Sequence, residues 1–327
     1  MTYEEGHRLD SSRLLSPPNR AGRRTGLFAD SEVGRRKAAV LEILSRGLPS
    51  MSGQLLQLHA LLSTTPVDLH AVAAMIRTDP TLTGHLLRLC NSALFGLRRR
   101  IVRVEEAAIL MGTVRLRSLV FACYLAQVTS DRLPAAEAQQ FCRHSLLTAM
   151  LAEAAARWLG SQEADRAYLG GLLHDVGKLP LLMVALRENV SARYWLRDPA
   201  DILSLEREHF GLDHCEVGRW LALAWNLDPA HVEILETHHQ PELARCDPEL
   251  TGTVALADYL CEKLSDEGQT AIEDLAADAF VYRCLPHLHP GSVRTLLQLL
   301  HQQFPRLVTV LEQTGPESAT VQELDIA

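Results

Sequence analysis

From Gly34 onward, apolar residues recur every three to four positions along the chain, and strict alternation of apolar with polar residues is absent. That period predicts helices throughout, and because Ala, Leu, Glu and Arg dominate and β-branched runs are few, the expected fold class is all-α. Between Asp68 and Thr78, the stripe Leu69, Val72, Ala73 and Ile76 marks one amphipathic helix. Leu82, Leu86, Leu89 and Ala93 repeat it in the next, which should end near Phe95-Gly96. A longer apolar helix or helix pair follows from Val104 to Val128, with Gly112 as its expected break. After a polar turn at Asp131 to Pro134, the helical period runs from Ala135 to Trp158, closes at Gly160 and restarts at Ser161. Further helices are expected from Ala200 to His209 with Gly211 as the stop, after Asp213, from Pro229 to His238-His239, and from Pro248 to Leu264. Two amphipathic segments come last, at about Ile272 to Cys284 and Ser292 to Leu311.

The helix starts are punctuated by residues whose side chains accept from free backbone N–H groups: Asp68, Asp79 before Pro80, Ser161, Asp213 with Glu216, and Asp228 before Pro229. Residues 1–33 are rich in Ser, Pro, Gly and charge, with no sustained period, and read as a tail. The expected organisation is that tail, an N-terminal helical part over 34–133, a helical core over 134–265, and C-terminal helices with a polar tail over 266–327.

A chain of 327 residues buries a sizeable core without staples. Its net charge of -8 argues against a dedicated nucleic-acid binder, which needs a basic face for phosphates. The local cluster Arg98-Arg99-Arg100 with Arg103 reads as a solvated loop. Seven cysteines, an odd number with no metal-knuckle spacing, read as free thiols in a reducing cytoplasm. No uninterrupted apolar run approaches the roughly 20 residues that span a bilayer, the best being Leu119 to Val128 and Leu179 to Leu186, and no signal-peptide core is present.

Against this background, a few polar residues fall in apolar places. His174-Asp175 closes a helix whose inner face is Ala167, Gly170 and Gly171, small residues that admit a close neighbour, and Gly177 and Pro180 then turn the chain. His144 is in register with Phe141, Leu147 and Leu151. Alone it would read as a satisfied core histidine. His214 shares a buried side with Val217, Leu221 and Trp225, and its place in the first helical turn is expected to favour the neutral ring. His238 and His239 point about 100° apart on a helix, so only one is expected to face a common site. Asp258 lies inside the stripe Leu250, Val254, Ala257, Cys261 and Leu264, where an aspartate needs a partner. His144, His174, Asp175 and Asp258 make a two-nitrogen, two-oxygen set that suits Mn, Fe, Mg or Zn. His214 with His238 or His239 would supply a second ion, and such a pair activates water for attack on a phosphoester, with Lys178 offsetting substrate charge. The alternative for the His-Asp-Lys turn is a helix-end hydrogen-bond cluster.

The stretch Leu169 to Lys178 resembles the signature of the HD superfamily, whose enzymes are metal-dependent phosphohydrolases. A closer similarity is to its HDOD branch. It is carried by Asp79-Pro80 through Asn91-Ser92-Ala93 and Phe95-Gly96, by Gly211-Leu212-Asp213-His214 with Glu216, Val217 and Gly218, by Trp225, and by His238-His239. These motifs run in order from about Leu48 to Leu264. The resemblance implies a multi-helix HD-like bundle with an N-terminal helical subdomain and a C-terminal helical extension. It also implies a bacterial signalling or regulatory module, working through protein partners in a signal-transduction or second-messenger circuit. The alternative it implies is a metal-dependent phosphohydrolase acting on a nucleotide or other phosphoester, with Asp175 and Lys178 at the chemistry. After His238-His239 the chain reads Gln240-Pro241-Glu242-Leu243-Ala244-Arg245, without the Gly-Tyr-Pro signature of the related cyclic-di-GMP phosphodiesterases, which argues against that substrate.

Overall fold

Each apolar stripe needs a neighbour to cover it, and the stripes close on one another as a helical bundle with no strand among the described residues. The computed structural model describes residues 31–46, 53–62, 64, 66–91, 99–190, 195–196, 201–265 and 270–314. The expected tail through residue 30, the motif residues within 92–98 and the polar C-terminus after 314 lie outside these. In chain order the helices are α1 (Glu32–Arg46), α2 (Gly53–Leu62), α3 (Leu69–Arg77), α4 (Pro80–Cys90), α5 (Val104–Arg132), α6 (Ala135–Trp158), α7 (Ala164–Leu173) and α8 (Lys178–Arg187). There follow α9 (Ile202–Phe210), α10 (His214–Ala224), α11 (Pro229–Thr237), α12 (Pro248–Ser265), α13 (Ile272–Ala277), α14 (Ala279–Cys284) and α15 (Pro290–Thr314).

Local chemistry sets most of these bounds. The Asp68 carboxylate accepts from the His70 and Ala71 amides, Asp79 from Leu82, Asp213 from Glu216, and Asp228 from Ala230 and His231. Ser161 acts one turn early: its hydroxyl accepts from the Glu163 amide and α7 begins at Ala164. Gly112 breaks α5 as expected, with φ 69° inside an otherwise helical run. The helix nevertheless continues through Asp131 to Arg132, so only Leu133 and Pro134 join it to α6. The segment expected to be helical from Ile272 to Cys284 is two helices, because the Asp278 side chain caps a new start at Phe280.

The centre of the bundle is α6 packed against α7 and α12. A Cβ on Gly171 would lie 2.7 Å from Ala149 Cα, so this glycine is what lets α7 and α6 touch backbone to backbone. A buried ion cluster, unforeseen in the sequence, ties the first half to this centre: Arg115 of α5 meets Glu153 of α6 and donates to Asp165 of α7 at 2.8 Å. Trp225 makes a second joint. Its carbonyl lies 3.2 Å from His59 Nε2 of α2, and its ring packs against Phe121 and Tyr124 of α5. Two stretches, Val104–Arg132 and Ala164–Arg187, are long and apolar enough on average to cross a membrane by length and composition, although neither is an uninterrupted apolar run. In the bundle 94% of the most apolar 18-residue window of the second is buried, and the stretch is broken by the turn at His174.

Gly171→Ala is expected to overpack the α6–α7 contact and lower stability by about 1–3 kcal/mol, read as a lower urea midpoint at unchanged slope.

Candidate metal centre

α7 ends at Leu173, and the chain turns through His174–Gly177 before α8 starts at Lys178. The turn is wholly interior: His174 is 0% exposed, Asp175 2% and Lys178 1%. Gly177 explains where it sits. A Cβ there would fall 1.9 Å from the His214 carbonyl oxygen, so the bare backbone of the turn lies directly against the first turn of α10. That contact carries Asp175 to His214. Lys178 Nζ donates to Asp175 Oδ2 at 2.7 Å and fixes the carboxylate from below. The lysine therefore serves Asp175 from inside the protein, in place of the substrate-facing position expected of it.

Around Asp175 the nitrogen donors fall on two sides, and His174 and His238, one from each side, also lie close enough to each other and to Asp175 to form a third candidate set. On one side, His144 Nε2 and His174 Nε2 are 3.2 Å apart, and both face Asp258 Oδ1, at 3.0 and 3.2 Å. Asp175 Oδ2 is 3.6 and 3.4 Å from the same two nitrogens. On the other side, His214 Nε2 lies 3.3 Å from His238 Nε2 and 3.0 Å from His239 Nε2. Asp175 Oδ1 is 3.5 Å from His214 Nε2 and 3.8 Å from His238 Nε2. Donors bound at about 2.1 Å to one ion, at angles between 90° and 120°, sit roughly 3.0–3.6 Å apart. All of the observed spacings but the 3.8 Å one fall in that range, which makes the two groups candidate ligand sets.

The hydrogen bonds behind the rings aim their lone pairs inward. A carbonyl oxygen only accepts, so His174 Nδ1, 2.8 Å from Gly171 O, and His238 Nδ1, 3.1 Å from Ile234 O, carry the protons and leave each neutral ring's Nε2 bare. His214 Nδ1 donates to Glu206 Oε2 at 2.7 Å, and the same oxygen takes the His214 amide at 2.8 Å. Asp175 Oδ1 and Asp258 Oδ1 are buried and accept no well-aligned hydrogen bond. Converging lone pairs and orphaned carboxylate oxygens fit divalent cations, and the groups His144, His174, Asp258 and His214, Cys215, His238, His239 each have the spacing to hold one.

Without a cation, protons take its place. Burial disfavours a charged His174 ring, yet the Asp175 and Asp258 carboxylates push its pKa up to about 9. Burial likewise opposes ionised Asp175, but the Lys178 ammonium and the His174 ring hold it well below the usual carboxylate range. Asp258 is held down, against burial, by His174 and His144. His238, buried and crowded by His239 and His174, is pushed well below the ordinary histidine value.

Every expected site residue is in this cluster: His144, His174, Asp175, Lys178, His214, His238, His239 and Asp258. Two details differ from expectation. Both His238 and His239 face His214, because α11 stops at Thr237 and the chain turns there, bringing the two ring centroids to 4.4 Å. The His214 ring, expected to stay neutral at a helix start, is instead held well above the usual histidine value, since burial is outweighed by the Glu206 carboxylate. Glu206 itself was missed. Its signal was available, since it sits four residues from both Ile202 and Phe210 on the buried face of α9 and is 1% exposed.

Residues 48–241 match the HDOD domain. An HDOD domain protein with unknown function from Geobacter sulfurreducens shares the fold with a TM-score of 0.65 at 22% identity, over 87% of this chain and 99% of its own. A candidate phosphohydrolase from Shewanella amazonensis SB2B superposes with a TM-score of 0.62 at 22% identity, over 84% and 98%. At those identities the likeness is one of fold. An uncharacterized protein of Treponema pallidum (strain Nichols) is 29% identical over 269 residues, 79% of this chain, and the chain spans half of that relative's length.

Two outcomes follow from the geometry. Glu206→Gln, which weakens the hold on His214, should reduce affinity for the second ion about 10–100-fold in a metal titration. His174, with a folded pKa of about 9 against 6.5 unfolded, stabilises the metal-free protein fully below pH 6.5, and that contribution is lost as pH rises through 9. An entering ion displaces the same proton, so metal affinity should climb over the interval in which the metal-free melting temperature falls.

Proposed function

The chain belongs to the HDOD domain family, and from that premise we propose that it is a signalling-type module whose centre, loaded with two divalent ions, hydrolyses a phosphoester. The observation that carries this reading is the position of Asp175, whose Oδ2 faces His144 and His174 while its Oδ1 faces His214 and His238. One carboxylate between two imidazole sets would help to hold an ion on either side of it. When bound, two such ions would supply Lewis-acid charge and an activated water for in-line attack at phosphorus.

The chain's own residues would do the rest. Lys178 and Gly177 hold Asp175 at the midpoint, and Glu206 keeps His214 presenting Nε2. His144 and His239 are the partly exposed members of the two groups, so each half keeps a ligand at the edge where a phosphate oxygen would approach. Imidazole with carboxylate suits Mn, Fe or Zn, and Mg less well. The substrate class is a nucleotide or another phosphoester. Cyclic-di-GMP is disfavoured, because where its hydrolases carry Gly-Tyr-Pro this chain has a short turn at Pro241–Leu243, followed by a loop whose Cys246 and Asp247 amides are held by the Glu233 carboxylate. The setting we propose is cytoplasmic, with a signalling protein as partner.

A second reading, regulation through protein contacts around a structural ion, is favoured by the burial of His174, Asp175, His214, His238 and Asp258. The two readings separate in one assay. Manganese-loaded protein should open bis(p-nitrophenyl) phosphate, and the near-isosteric Asp175→Asn should reduce turnover to background with the helical circular-dichroism signal intact. A chain that binds manganese and opens no phosphodiester or nucleotide would favour the structural ion.

A further inference from the structure

Cys215 follows His214 on the first turn of α10 and is 5% exposed. Unlike Cys90, Cys261 and Cys284, it is not part of the apolar core. Its Sγ and one ring nitrogen from each of His214, His238 and His239 all lie within 4.8 Å of one another. An independent observation points to the same spot: Asp175 Oδ1, on a side chain 3% exposed, accepts no hydrogen bond and faces His214 and His238. A sulfur and three imidazoles thus converge, and an orphaned carboxylate oxygen faces two of those imidazoles.

We propose that Cys215 is a thiolate ligand of the ion held by His214, His238 and His239, and that it makes the two metal positions unequal. The proposal rests on the two-ion reading above. The first position has two imidazoles and two carboxylates, a set that suits Mn or another harder ion. The second has sulfur and three imidazoles beside the shared carboxylate, a softer set that suits Zn or Fe(II). Zinc is commonly held by just such a mixture of thiolate sulfur and imidazole nitrogen. The ion takes the place of the thiol proton, which leaves to solvent, and no electron is transferred. One chain would therefore sort two different metals.

The test uses the full-length chain, stripped of metal and titrated with Co(II), whose bond to a thiolate adds a near-ultraviolet charge-transfer band that nitrogen and oxygen ligands do not give. We expect two cobalt ions per chain, with the band rising for one of them. Cys215→Ser should bind the same number and lose the band. Cys261→Ser, whose Sγ lies 3.9 Å from the His144 carbonyl in the core, should keep it. With zinc and manganese supplied together, the wild-type chain should take one of each, and Cys215→Ser should lose that sorting. Two bound cobalt ions without the band, or a band that survives Cys215→Ser, would overturn the role of Cys215 and leave the metal centre standing. A chain that binds no cobalt would overturn both.

Discussion

A carboxylate cannot stay ionised inside a helical bundle unless positive charge is brought to it, and Asp175 is such a carboxylate. Much of the local architecture reads as the means of bringing that charge. Lys178 contributes one ammonium from the next turn of chain, donated to Oδ2, and Oδ1 accepts no well-aligned hydrogen bond. Three of the rings near Asp175, His174, His238 and His214, have Nδ1 protons tied to Gly171, Ile234 and Glu206, so what they offer inward as neutral rings is electron pairs. Protonated rings can fill that role in the metal-free chain. Divalent ions fill it better, because one ion satisfies several lone pairs and a carboxylate oxygen together.

The scaffold is shaped to that requirement at backbone level. Gly177 lets the turn lie against α10, and Gly171 lets α7 lie against α6, so His174 and Asp175 arrive between His144 and His214 with no side chain in the way. Asp258 comes from the third helix packed on this centre, α12. Farther out, the Arg115–Glu153–Asp165 cluster ties α5 to α6 and α7, and the Trp225 joint ties α2 and α5 to the end of α10.

The helical architecture was legible because each element carries its own local signal: a stripe, a cap, a stop. His144 and Asp258 were legible for the same reason, as polar residues in register with Phe141, Leu147, Val254 and Cys261. Glu206 has that register too, but in α9 it stands beside Arg207 and Glu208 and reads as part of a solvated run. The relation of His238 to His239 was not legible from a helical wheel, since the helix ends one residue before the pair. Nor was the pairing of Arg115 with Glu153, residues 38 apart in sequence on consecutive helices. Local periodicity says which face is buried; it does not say which distant residue is waiting there.

The claim on which all this depends is that Asp175 joins two ions. Its most direct measurement is the electron paramagnetic resonance spectrum of the manganese-saturated chain, with the manganese counted by elemental analysis. Two manganese ions per chain giving an exchange-coupled spectrum, as expected for ions roughly 3.5–4 Å apart, would bear the account out. A single ion with an isolated six-line spectrum, or a folded chain that takes up none, would contradict it.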